Sequence, residues 1–192
     1  MSLDPSFSQD KNFRNITYTQ VELREAEFEN CSFSNCIFIN NDLSAATFSE
    51  CDFESCDFSN ADLEGTTFRD CTFKASKLLG LRFDLCNPFL LSFNFQDCNL
   101  NFSSFFKLKL KAVRFFDCKM EQVDLSEADL FKAKFQNCDL GGAVFSNTNL
   151  EAADLRTSRN FSIDPENNRL QKAVFSTTNV SGLLDKYKII VE

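Results

Sequence analysis

Residues 28–73 read FENCSFSNCIFINNDLSAATFSECDFESCDFSNADLEGTTFRDCTF, and every fifth position holds a large apolar side chain. The series is Phe28, Phe33, Phe38, Leu43, Phe48, Phe53, Phe58, Leu63, Phe68 and Phe73. Two places before each stands something smaller: Ala26, Cys31, Cys36, Asn41, Ala46, Cys51, Cys56, Ala61, Thr66 and Cys71. A period of five fits no helix, because five steps of about 100° leave successive Phe residues about 140° apart. It fits no flat strand either, because an odd step turns the side chain to the opposite face. The backbone must turn once per five residues, so that each large side chain points back to one axis. That is the mark of a solenoid.

Composition agrees. The chain has 192 residues and 24 Phe, with two Tyr and no Trp or His, so one kind of slot is filled again and again. Without His there is no Ser–His or Cys–His pair and no supply of the commonest zinc ligand. Five glycines make no phosphate-cradling loop, and carboxylates on outward turns are expected to be solvated rather than tuned for proton transfer. No catalytic residue, metal ligand or cofactor is assigned, and the chain reads as a non-enzyme. Residues 1–90 hold 15 Asp and Glu against 7 Lys and Arg, whereas residues 91–192 hold 13 of each. The acidic half argues against direct nucleic-acid binding, which needs a basic surface, and permits attraction to a basic partner. Met1–Asp10 has no apolar run of the signal-peptide kind, and runs such as Phe89–Leu91 and Ile189–Val191 fall far short of a membrane span. With nine cysteines the expectation is a cytoplasmic protein.

Outward from the opening stretch, the first array covers 11–87, with Phe13, Tyr18, Leu23, Leu78 and Phe83 extending the series. Between 84 and 94 the phase breaks at Cys86-Asn-Pro-Phe89; proline fixes φ and lacks an N–H, which suits a corner that leaves the ladder. A second array, 93–177, resumes two places out of step at Phe95, Leu100, Phe105, Leu110 and Phe115, and runs on through Met120 to Leu155. A loop is expected over 157–168 around Asp164-Pro165, followed by Leu170 and Phe175. The spacing then predicts a short α-helix over 178–187, capped by Thr177, Thr178 or Asn179, and a short strand at Ile189–Val191.

Units such as Ala61-Asp-Leu-Glu-Gly65, Ala128-Asp-Leu-Phe-Lys132 and Ala153-Asp-Leu-Arg-Thr157 resemble the A-(D/N)-L-x-x unit of the pentapeptide-repeat family, and the resemblance covers about 11–175. It implies an all-β fold, a right-handed quadrilateral β-helix with one repeat per side and four per coil, so that residues twenty apart stack. The columns then become chemically uniform. Phe33, Phe53 and Phe73 fall in one, and Cys31, Cys51 and Cys71, like Cys98, Cys118 and Cys138, line up as small hydrophobes beside the large centres. On the outside, Glu22, Asp42 and Asp62 form an acidic column ending at Arg82, with Asp57 among further acids of the same half. Lys107, Lys109, Lys111, Arg114 and Lys119 form a basic run without interleaved exposed aromatics, read as a solvated face.

The best-understood relatives in that family, the Qnr and MfpA proteins, are dimers joined at their C-termini that imitate duplex DNA and engage DNA gyrase or topoisomerase IV. The resemblance therefore implies a homodimer built on 178–192, with Leu183, Leu184, Tyr187, Ile189, Ile190 and Val191 at the seam. Such a seam would cover both an apolar patch and the open end of the solenoid. It also implies a partner that itself binds DNA, such as a type II topoisomerase, met at Glu22, Asp42, Asp57 and Asp62. The alternative is a structural or interaction scaffold for some other protein.

Overall fold

The computed structural model describes residues 7–18 and 23–190. The chain is a right-handed quadrilateral β-helix. Its corners explain the repeat. The residue two places after each centre takes the left-handed conformation, as at Asn15, Asn30, Asn35, Asn40 and Asn60 with φ between 49° and 57°. Asparagine tolerates that conformation better than most residues, so the chain can turn there every fifth residue.

We number the four sides after the first centres, Phe13, Tyr18, Leu23 and Phe28. On the first side, β2 (Asn12–Arg14), β4 (Ser32–Ser34), β6 (Asp52–Glu54) and β8 (Cys71–Lys74) pair in parallel, with Phe13, Phe33, Phe53 and Phe73 in register. The ladder continues through β9 (Phe93–Gln96), β10 (Arg114–Phe116) and β11 (Lys134–Gln136). On the fourth side, β1 (Phe7–Gln9), β3 (Glu27–Glu29), β5 (Thr47–Ser49) and β7 (Thr67–Arg69) make a shorter sheet. The second and third sides are joined by single bridges, including Ile37 to Asp57 and Asp42 to Asp62.

Ring centroids stack at 4.8 Å for Phe13–Phe33, 4.9 Å for Phe33–Phe53 and 4.8 Å for Phe53–Phe73. Rings of adjacent sides meet edge-on, as Phe28 and Phe33 do at 5.2 Å. Each such pair adds about 0.5–1.5 kcal/mol beyond its buried area. All nine cysteines are buried free thiols. Several sulfurs lie near a carbonyl of the preceding coil, such as Cys71 Sγ to Phe48 O at 3.4 Å and Cys138 Sγ to Phe115 O at 3.4 Å. Burial pushes the Cys51 thiol up to about 12.

At the phase break Phe73 pairs with Phe95, so this coil holds two extra residues. Asn87 N–H still donates to Thr66 O (2.9 Å) and Ser92 N–H to Phe68 O (2.9 Å), so residues 88–91 bulge from the fourth side between them. Leu90 takes the left-handed corner conformation and is exposed, while Phe93 lies inside against Phe83 (5.3 Å) and Phe95 (5.0 Å). The fourth-side sheet therefore ends at β7, while the first-side ladder runs on. Phe161 and Ile163, within the expected loop 157–168, are also buried in the core.

The expected C-terminal α-helix is instead two short 3-10 turns, Val180–Leu183 and Asp185–Tyr187. Their bonds span three residues: Leu184 N–H to Ser181 O at 2.8 Å and Tyr187 N–H to Leu184 O at 2.9 Å. A segment of this length is marginal as a free helix, Gly182 interrupts it at a cost of about 1 kcal/mol relative to Ala, and Lys188 ends it in the left-handed conformation. Asn179 spends its side chain elsewhere, donating to Leu155 O (2.8 Å) and Ser158 O (2.9 Å) at the end of the solenoid. Ile189 and Ile190 form no strand, and Val191 lies outside the described residues.

Tyr18 continues the column of Phe38 (4.8 Å), but its buried hydroxyl has no hydrogen-bond partner among the described residues. Tyr18→Phe removes a desolvated polar group and keeps the stack, so thermal unfolding should show equal or greater stability, by up to about 1 kcal/mol. A clear loss would mean that the hydroxyl is bonded in solution.

Candidate functional site

The core is closed, so function falls to the outer faces and the two ends. Phe33, Phe53, Phe73, Cys31, Cys51, Cys71, Cys98, Cys118 and Cys138 are all buried. The described cavities are shallow surface grooves, the roomiest about 400 Å³ beside Arg82, Ser104, Phe106 and Asp124. Among the described residues no group of three His, Cys, Asp or Glu could hold a metal ion.

The four acidic residues singled out in the sequence do not share one face. Asp42 and Asp62 stack on the third side. Asp57 lies on the second, paired with Lys77 at 3.5 Å, and Glu22 lies outside the described residues. Asp42 and Asp62 each accept a backbone N–H of their own turn, from Ser44 (2.9 Å) and Glu64 (3.0 Å). The Ser44 hydroxyl and N–H hold the Asp42 carboxyl below its usual range. That shift favours the charged form of Asp42, the opposite of what a general acid near neutral pH needs.

Among the described residues, ion pairing leaves most acids of the first array unmatched, above all on and around the fourth side. In the first array, Glu54 pairs with Lys74 (3.4 Å) and Asp57 with Lys77 (3.5 Å), on the first and second sides. On the third and fourth sides and the corners that flank them, Glu27, Glu29, Glu50, Asp62, Glu64 and Asp70 have no cationic partner among the described residues, nor has Asp52 on the first side, while Glu25 meets Arg24 at 3.7 Å. Strand register could have shown this grouping, but the spacing in sequence hides it. The second array is balanced: Glu127, Asp129, Asp139, Glu151, Asp154, Asp164 and Glu166 all meet a Lys or Arg within 4 Å.

The basic run is not one face. Lys109 and Lys111 lie on the fourth side, Arg114 on the first and Lys119 on the second, with Lys107 at the corner before the fourth. The five spread over three of the four sides, because the thirteen residues from Lys107 to Lys119 span nearly three repeats. Aromatics do interleave, contrary to the sequence reading. Phe106 and Phe116 point outward and are half-buried, and the Lys107 ammonium lies 4.6 Å from the Phe106 ring centre.

At the C-terminal end Leu183 packs against the core and Leu184 is half-buried, while Tyr187, Ile189 and Ile190 are exposed, Ile190 at 87%. A clasp sets their position. Lys186 Nζ reaches Asp164 Oδ1 (2.7 Å) and Glu166 Oε2 (2.5 Å), and the Tyr187 hydroxyl donates to Glu166 Oε1 (2.9 Å). The hydrogen bond to Lys186 holds both carboxyls below their usual range. Gly182 lies flat on Phe161: a Cβ there would stand 2.4 Å from Phe161 O and 2.8 Å from its ring.

A chain built from this unit is a pentapeptide-repeat protein. The model of the pentapeptide repeat region matches residues 11–83, 46–115 and 90–160, and the chain belongs to that family. Among solved structures it is similar to HetL from the cyanobacterium Nostoc, a pentapeptide repeat protein involved in heterocyst differentiation regulation. The two share 18% identity with a TM-score of 0.74, over 90% of this chain and 87% of HetL. It is also similar to QnrB1, a plasmid-mediated fluoroquinolone resistance protein. A trypsin-treated variant matches at 18% identity and a TM-score of 0.63, over 97% of this chain and 98% of that one. Full-length QnrB1 matches at 19% and 0.54, over 96% and 100%. At these identities the likeness is one of fold. Among curated proteins nothing matches.

Gly182→Ala should lift the C-terminal turns off the solenoid, since the obstacle is backbone and cannot rotate away; overpacking of this kind costs about 1–3 kcal/mol. Trypsin should then cut after Lys186 and Lys188 faster than in the parent. Equal rates would show that the cap does not rest on this contact.

Proposed function

We propose that this chain is a non-enzymatic binding rod whose first array offers an acidic face to a basic, nucleic-acid-binding surface of another protein, as a type II topoisomerase presents. The observation that carries the reading is the set of unpaired carboxylates on the third and fourth sides of the first array. Coils about 4.8 Å apart hold these charges in a rigid, regular row, and an extended row of negative charge is what a surface shaped for the phosphate backbone attracts. The fold likeness to QnrB1 over nearly the full length of both chains supports the same direction.

Titrating the protein into a gyrase supercoiling assay, with and without a quinolone, tests this. Inhibition of supercoiling or relief of the drug is expected at micromolar protein, and Glu27→Gln with Glu29→Gln and Glu50→Gln should weaken it about tenfold. No effect on either reaction would overturn the topoisomerase reading. A second reading, a scaffold for a different protein, is favoured by the charge balance of the second array, which leaves only half the rod acidic.

The C-terminal end is proposed to pair with a second copy, covering Tyr187, Ile189 and Ile190 across a two-fold axis. Ile190→Asp places a charge at the most exposed apolar position and should halve the mass seen by light scattering. An unchanged mass would refute this seam.

A further inference from the structure

The bulge at the phase break is an apolar knuckle with nothing over it. Phe89 is 72% exposed, Leu90 is 55% exposed, and Leu85 at the preceding corner is exposed too. Leu90 holds the left-handed conformation, φ 58°, at a cost of about 1–2 kcal/mol for a residue with a bulky side chain. Asn, Asp, Ala, Glu, Lys or Gly fill most of the positive-φ positions; only Leu90 and Phe102 among the described residues put a large apolar side chain there. Phe102 projects from the corner between the second and third sides, away from the knuckle. Strain spent on exposing an apolar side chain points to contact with something else.

The surroundings state the chemistry of that contact. Because 88–91 leave the ladder, two backbone donors beside them lose their usual acceptors. Asn30 and Glu50 N–H donate to Ser49 O and Arg69 O of the following coil, but Asp70 N–H, next in that column, has no acceptor among the described residues. Asp129 N–H donates to Leu108 O of the preceding coil, whereas Lys109 N–H has no acceptor among the described residues. Below the knuckle a cleft of about 120 Å³ is lined by Leu91, Ser92, Lys109 and Lys111 among others. Lys109 and Arg69 have no ionic partner among the described residues, while Lys111 shares Asp129 at 3.5 Å. Apart from the Glu50 and Asp70 carboxylates, the unsatisfied groups around Phe89 and Leu90 among the described residues are thus donors or cations.

We propose that the knuckle docks an extended segment of a partner protein that alternates apolar residues with Asp or Glu. Apolar side chains of the segment pack on Phe89 and Leu90, and its carboxylates meet Lys109, Lys111 and Arg69. Its backbone carbonyls lie within reach of the orphaned donors at the broken ladder, as when a peptide is added to a sheet edge. An extended peptide is favoured over an anionic membrane because its backbone carbonyls, spaced as in a strand, match the Asp70 and Lys109 N–H groups that the broken ladder leaves without acceptors among the described residues. This site does not depend on the acidic face of the first array and selects partner chemistry of opposite sign.

Fluorescence anisotropy with a labelled dodecapeptide of alternating Glu and Leu or Phe tests the proposal, beside the same peptide with Lys for Glu. Saturable binding of the acidic peptide is expected, weakened about tenfold by F89S/L90S and by K109E/K111E, and weakened again as salt rises from about 50 to 500 mM. Phe89, Leu90, Lys109 and Lys111 point outward, so circular dichroism and the melting transition should match the parent in both variants. The proposal is overturned if the acidic peptide fails to bind, if either variant binds like the parent, or if the Lys peptide binds equally well. It is also overturned if phosphatidylserine vesicles are bound while the peptide is not. A negative supercoiling assay would leave this result untouched.

Discussion

In-register stacking of large side chains at a spacing of twenty residues is the constraint from which the rest follows. A Phe at one centre has the Phe of the next coil about 5 Å away, so ring, thiol and backbone bond repeat together or not at all. Each coil buries its large residues only against its neighbours, as in other repeat solenoids, and stability grows by adding interfaces. The core therefore tolerates little variety inside, and the outward positions are free to vary. Chemistry that could distinguish this rod from another of its family lies on the surface.

The same regularity converts a one-dimensional sequence into charged columns. Two coils can present unpaired acids on one pair of sides and closed ion pairs on the other, because each outward position belongs to a fixed side. The first array comes close to this: Glu54 and Asp57 are paired on the first and second sides, though Asp52 is not, while Glu27, Glu29 and Glu50 on and beside the fourth side have no cationic partner among the described residues. Where the regularity fails, at 88–91, the rod exposes apolar side chains and unpaired backbone donors. The acidic face, the knuckle and the C-terminal cap give one rigid scaffold three surfaces of different chemistry.

The fold was legible because the fivefold spacing of Phe and Leu has a single geometric solution, and the shift from Phe83 to Phe95 announced the break. Reading the columns as twenty apart placed the Phe ladder and the Cys slots. The surface was harder to read. Asp57 looks like a companion of Asp42 and Asp62 until the sides are assigned, and five nearby cations look like a patch until they are wound around a square. The C-terminal segment has helical spacing, but Asn179 turns to the end carbonyls and Gly182 presses on Phe161, and both favour tight turns over an α-helix. Phe161 stands one place after the expected centre at 160, and Ile163 fills the small slot before position 165, which holds Pro instead of a large centre, so the repeat pattern passes over them.

Excising whole or half coils tests the stacking account most directly. Deleting residues 33–52 joins Ser32 to Phe53 and keeps every column in register. Deleting residues 33–42 joins Ser32 to Leu43 and sets each later strand on the side opposite to its own. The account predicts that the full-coil deletion keeps a cooperative thermal transition with a β-sheet spectrum, and that the half-coil deletion melts at a clearly lower temperature. A half-coil deletion as stable as the full-coil one would contradict it.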